Sequence, residues 1–118
     1  MHELSIAMNI LVIAAEESLR RDGAQIDAVH IRLGPLSGVA RESLLSAYEL
    51  AREMSSQAGA RLVIEVVPVI AWCETCQSEQ QIASIQELTC PNCGNFTPDI
   101  VSGRELEVVA MEILETTS

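Results

Sequence analysis

Four cysteines and one histidine hold most of the chemistry that this sequence can offer. Cys73-Glu74-Thr75-Cys76 and Cys90-Pro91-Asn92-Cys93-Gly94 form two C-x2-C pairs separated by thirteen residues. Two residues between cysteines let a tight turn aim both thiolates at one ion, and backbone N–H groups can point at the sulfurs. Pro91 and Gly94 suit such a turn. Two turns supply four thiolates, the closed tetrahedral set of structural Zn²⁺. A rubredoxin-like iron site, a redox dithiol and a pair of disulfides are the competing readings. Zinc is preferred, because the surrounding stretch has few apolar residues (Ile82, Ile85, Leu88, Phe96 and Ile100) and the ion would serve as much of its core.

The second feature is Met1-His2-Glu3. His2 is too bulky for efficient removal of the initiator, so Met1 should keep its α-amine. That amine, the His2 amide nitrogen and the His2 imidazole can close adjacent chelate rings around one ion. The Glu3 amide or an outside carboxylate would complete a square plane. Square-planar nitrogen coordination suits Ni²⁺ or Cu²⁺ rather than Zn²⁺. His30 lies on the polar side of a strand pattern and reads as an ordinary surface histidine.

Charge restricts the partners. The 118 residues include 17 acids, seven arginines and no lysine, for a formal charge of −10. A nucleic-acid binder or a polybasic membrane anchor needs clustered cations to neutralise phosphate. The cysteine segment has none between Trp72 and Gly103, where Glu74, Glu79, Glu87 and Asp99 are negative. Four thiolates on one Zn²⁺ would add about two more negative charges. Nucleic acid and membrane are therefore rejected as partners. The apolar run from Ile6 to Ala15 has the length of a signal-peptide core. However, Glu3 replaces the usual basic flank and Asn9 interrupts the run, so a first helix of a cytoplasmic protein is expected instead. Reduced thiols in pairs then point to metal.

These features must be carried by a small fold. Residues 4–21 have helical spacing, with Leu4, Ala7, Met8, Leu11, Ala15 and Leu19 expected inward and His2, Ser5, Asn9 and Glu16 along a polar edge. Val29, Ile31 and Leu33 alternate with His30 and Arg32 as in a half-buried strand. Gly34-Pro35 and Gly38 mark a turn. A second helix is predicted over residues 41–56, with Leu44, Leu45, Tyr48, Ala51 and Met54 inward. Residues 62–70 are β-rich, and Pro68 marks an edge or the end of pairing. Residues 105–114 resume alternation with apolar side chains on both faces, which predicts a central strand. The expectation is an α/β/α/β/β core, residues 1–70 and 103–118, with a metal-binding domain at 71–102 inserted before the last strand. Such an insertion also admits a homodimer in which a neighbour's last strand completes the sheet.

The Met1-His2-Glu3 start with Ser5, the Gly34-Pro35-Leu36-Ser37-Gly38 turn, the four-cysteine module and the Gly103-Arg104-Glu105-Leu106-Glu107 return strand occur together in order. In this combination the chain resembles the HypA/HybF family, the hydrogenase nickel-incorporation metallochaperones. The resemblance implies an α+β nickel-binding domain, a small three-stranded sheet with two helices, plus a zinc-ribbon-like domain. It implies nickel held at Met1, His2 and Glu3 and zinc at Cys73, Cys76, Cys90 and Cys93. It also implies delivery of Ni²⁺ to the large subunit of a [NiFe] hydrogenase, with a GTPase accessory protein as partner. There are two departures. Arg41 stands before Glu42 where family members often have proline, and no histidine flanks the cysteine pairs. The alternative function is a structural zinc adaptor that scaffolds a complex without delivering metal. Catalysis is not expected, since the chain has no Cys-His nucleophile pairing in any motif and no glycine-rich phosphate loop.

Overall fold

A computed structural model of the chain describes residues 3–114. Its elements are α1 (Glu3–Arg20), β1 (Ile26–Leu33), α2 (Arg41–Glu53), β2 (Arg61–Val66), β3 (Ile70–Cys73), β4 (Ser78–Gln81), β5 (Asp99–Ser102) and β6 (Leu106–Ile113). Two three-stranded sheets result, ordered β2-β1-β6 and β4-β3-β5. The fold is α+β, with two helices in the larger part and four cysteines gathered in the smaller one.

β1 pairs in parallel with β2, which requires a crossover, and α2 supplies it. The inward side chains of β1 (Val29, Ile31 and Leu33) meet Ala7, Ile10, Leu11 and Ala14 of α1 and Leu44, Tyr48 and Ala51 of α2 in one core. Tyr48 is wholly buried, and its hydroxyl donates to the Ala60 carbonyl at 2.7 Å. Burial outweighs the opposing charge of Arg52 and pushes that phenol up to about 12. On the other face of the sheet, Arg32 lies 3.3 Å from Glu65 and 3.7 Å from Glu107. Exposed pairs of this kind contribute little stability individually.

The last strand departs from expectation. β6 is an edge strand and β1 is central. β6 runs antiparallel to β1, with Ala110 opposite His30 and Val108 opposite Ile31, so Val109 is left over as a bulge. A bulge shifts the two-residue alternation by one. Val108, Met111 and Ile113 therefore all pack toward the core. These three residues, which simple alternation would divide between two faces, occupy one, while Val109 is exposed.

α1 also faces the core differently. Ala7, Ile10, Leu11, Ala14 and Ser18 are buried, while Leu4, Met8 and Leu19 are 46%, 55% and 77% exposed. The helix is apolar around most of its circumference, and the sheet takes the stripe with small residues, which allow close approach. Ser18 is satisfied there by donating to the Ala24 carbonyl at 2.6 Å. α2 ends at Glu53 rather than at residue 56, and Met54, expected inward, is the exposed C-cap. No helix among the described residues is long and apolar enough to cross a membrane.

The β-rich run at 62–70 divides at Pro68, with β2 in the first sheet and β3 in the second. The second sheet has its own small core of Val69, Ala71 and Ile82, into which Leu36 reaches from the turn after β1.

Candidate metal centre

Cys73 ends β3, whose pairing with β4 and β5 fixes its position. The chain then turns so that the Cys76 N–H donates to the Cys73 sulfur at 3.4 Å. The second knuckle is closed by its backbone: the Cys90 N–H donates to the Asn95 carbonyl and the Gly94 N–H to the Cys90 carbonyl, both at 2.8 Å. Gly94 has φ +79°, the left-handed conformation that a residue without Cβ adopts most readily. The two knuckles are also pinned to each other. Asn92 Nδ2 donates to the Cys76 sulfur at 3.3 Å, and Asn95 Nδ2 donates to Thr75 Oγ1 at 2.5 Å.

This framework brings all four expected cysteines together as free thiols, with their sulfurs within 4.8 Å of one another. Cys73 and Cys93 are 3.5 Å apart, and Cys76 and Cys90 3.8 Å. A tetrahedral Zn²⁺ with bonds of about 2.3 Å requires sulfur separations of about 3.8 Å, so the donor set fits a four-coordinate ion. The protonation pattern points the same way. Burial pushes the Cys90 thiol up, but backbone N–H groups of Cys93 and Asn92 and the thiols of Cys73 and Cys93 outweigh it and bring it down to about 7. The Asn95 N–H favours the Cys93 thiolate, yet burial and three neighbouring sulfurs overcome it and push Cys93 up to about 12. Four crowded sulfurs cannot all ionise unaided, and a divalent cation at their centre would supply the missing charge.

Of the expected nickel residues, Glu3 opens α1 and is half-buried, while Met1 and His2 lie outside the described residues. His30 projects from the outer face of the first sheet with Nε2 3.2 Å from the Glu112 carboxylate. It joins no cluster of metal donors among the described residues. The sequence reading missed Asn92 and Asn95. Their only signal was an amide side chain inside and just after the second C-x2-C.

A family model described as hydrogenase/urease nickel incorporation, metallochaperone, hypA matches residues 1–113. Among curated proteins, the hydrogenase maturation factor HypA of Roseiflexus sp. (strain RS-1) is 41% identical over 99% of this chain and 95% of its own. That of Chloroflexus aurantiacus is 43% identical over 95% and 98% respectively. The solution structure of the Ni metallochaperone HypA from Helicobacter pylori matches 98% of this chain and 100% of its own, with a TM-score of 0.64 and 24% identity. That likeness supports the fold.

Proposed function

We propose, from the premise that this chain belongs to the HypA family of hydrogenase nickel metallochaperones, that it binds Ni²⁺ through Met1, His2 and Glu3. Nickel then passes to the large subunit of a [NiFe] hydrogenase in the cytoplasm, with a GTPase accessory protein assisting. As a metallochaperone and not an enzyme, it exchanges ligands on its cargo without breaking covalent bonds of a substrate.

The observation that carries this reading is the family match across residues 1–113, which takes in both the Met1-His2-Glu3 start and the four-cysteine cluster. The two donor sets suit different tasks. Cys73, Cys76, Cys90 and Cys93 would hold Zn²⁺ with every coordination position filled by protein, which keeps the ion and orders the module. Nitrogen donors of an amine, amides and an imidazole favour Ni²⁺ over Zn²⁺, and a square-planar ion is open to an incoming ligand from above or below the plane. Retention and release are thereby assigned to separate sites.

Metal titration of protein with a free Met1 amine tests the proposal. One zinc per chain should resist exchange, and one Ni²⁺ should bind in addition and transfer to a competing chelator. An adaptor that only scaffolds a complex would bind no second metal, and that result would reject nickel delivery.

A further inference from the structure

Between α1 and α2 runs an open cleft of about 360 Å³. Leu11 and Ala51 form its floor, and its walls are Leu4, Met8, Leu50 and Met54. The wall residues are far from buried: Met8 is 55% exposed, Leu50 58% and Met54 85%. A continuous exposed apolar surface with a polar rim marks an interaction site rather than a solvated face. Its methionines add side chains that adapt to different apolar partners. None of these residues is a proposed nickel or zinc donor, although Leu4 directly follows Glu3.

The rim identifies the occupant. On α1, Glu16 follows Val12 by one helical turn and extends the outer edge of the wall. On α2, Glu53 follows Leu50 by three residues and lies on the outer edge of the opposite wall. Neither Glu16 nor Glu53 forms an ion pair among the described residues. No arginine lines the cleft. A second copy of a chain with formal charge −10 would set acidic rim against acidic rim, and an anionic membrane would be repelled likewise. From Leu4 to Ala15 the apolar wall rises about 16 Å, three turns of helix. That length accepts apolar anchors at i, i+3 or i+4, and i+7 of a helix laid in the groove.

We infer that the α1–α2 cleft is a docking site for an amphipathic helix of a partner protein whose apolar face is flanked by lysine or arginine.

The probe is a synthetic peptide of about 15 residues with leucine on one helical face and lysine elsewhere, labelled for fluorescence anisotropy at physiological salt. Two comparators are a scrambled peptide of the same composition and one with glutamate in place of lysine. The full-length protein should bind the first peptide saturably and both comparators at least about tenfold more weakly. Met8→Glu and Leu50→Glu, at exposed positions, should each weaken binding about tenfold while helix content and bound metal stay unchanged. A Glu16→Lys/Glu53→Lys protein should prefer the glutamate peptide. Equal binding of the scrambled peptide would reduce the effect to bulk charge and overturn the inference. So would unchanged affinity in Leu50→Glu. Sedimentation showing a dimer that Leu50→Glu dissociates would assign the cleft to a second copy instead, which also overturns it.

Discussion

Gly34 and Gly103 cross backbone against backbone, and this crossing ties the two sheets to each other. A Cβ on Gly34 would overlap the Gly103 carbonyl. The Gly34 N–H donates to the Glu105 carbonyl at 2.8 Å, and the Leu36 N–H donates to the Gly103 carbonyl at 2.7 Å. Leu36 itself packs into the core of the second sheet. The turn after β1 therefore belongs to the first sheet by sequence and to the second by packing.

Gly34→Ala should accordingly destabilise the protein, because the obstructing atoms are main chain and cannot swing aside. Overpacking of this kind costs about 1–3 kcal/mol, or a drop of several degrees in Tm for a chain of this size. Differential scanning calorimetry of the metal-loaded protein measures it. An unchanged Tm would show that the two strands of backbone separate without penalty.

Cys76→Ser should reduce zinc from one per chain to nearly none, since a three-sulfur site loses a ligand and its turn. The sheet β2-β1-β6 should survive, because its core contains no residue of the cysteine module. Elemental analysis gives the stoichiometry. Emission from Trp72, the neighbour of Cys73 in β3, should change while helix content by circular dichroism holds. Full zinc retention in this variant would contradict four-sulfur coordination.

Asn92 offers a finer test of the same centre. Its amide donates to the Cys76 sulfur at 3.3 Å and so offsets part of the negative charge on a thiolate. Partners of this kind influence metal affinity about 10–100-fold. Asn92→Ala should speed zinc transfer to a chelator, and Asn92→Asp should speed it more by adding like charge. Identical transfer rates in all three proteins would leave the hydrogen bond without influence on the metal.

Two carboxylates should contribute to the acid side of the stability profile. Backbone N–H groups of Gly103 and Glu105 hold the Glu105 carboxyl below its ordinary value. Arg21 and Arg20 do the same for Glu17. A depressed folded pKa contributes stability above the ordinary value of 4.5, and that contribution is lost as pH falls through the lowered pKa. Denaturant midpoints should therefore be flat from neutrality to about pH 5 and decline below it. Glu105→Gln should make the decline shallower, and an unaltered acid limb would exclude this carboxylate as a contributor.

The clustering of the four cysteines was legible in the sequence because C-x2-C spacing encodes the local turn that brings each pair together. The same holds for Tyr48 and Leu44, whose helical spacing matched a face that tertiary packing used. The errors share a physical origin. β6 looked central because a single bulge at Val109 reversed the phase of the alternation, and no residue type announces a bulge of that kind. α1 carried more apolar positions than one buried face can use, so periodicity could not choose between the stripe of Ala7, Leu11 and Ala14 and that of Leu4, Met8 and Leu19. Leu4 and Met8 of the surplus stripe became a wall of the cleft. The Gly34–Gly103 crossing joins residues far apart in the chain, and only the fold brings them together.

The last prediction concerns the proposed nickel donors, Met1 and His2. An α-amine and an imidazole titrate near about 7.7 and 6.5 in model compounds, and both must be unprotonated to bind metal. A coordinated amide must lose its proton as well. Nickel affinity should therefore weaken as pH drops below about 7, with protons released on binding, whereas the tetrathiolate site should respond separately. His2→Ala removes the imidazole and should abolish nickel binding and hydrogenase maturation while zinc content and fold persist. An uncleaved N-terminal extension converts the amine into an amide, which is a far poorer donor, and should impair nickel binding in the same way. A C-terminal extension without metal-binding side chains is the matched control and should leave affinity unaltered. Calorimetric titration of the four proteins distinguishes the outcomes. Equal nickel affinity in native, N-extended and His2→Ala chains would place the cargo site elsewhere and restore the zinc-adaptor reading.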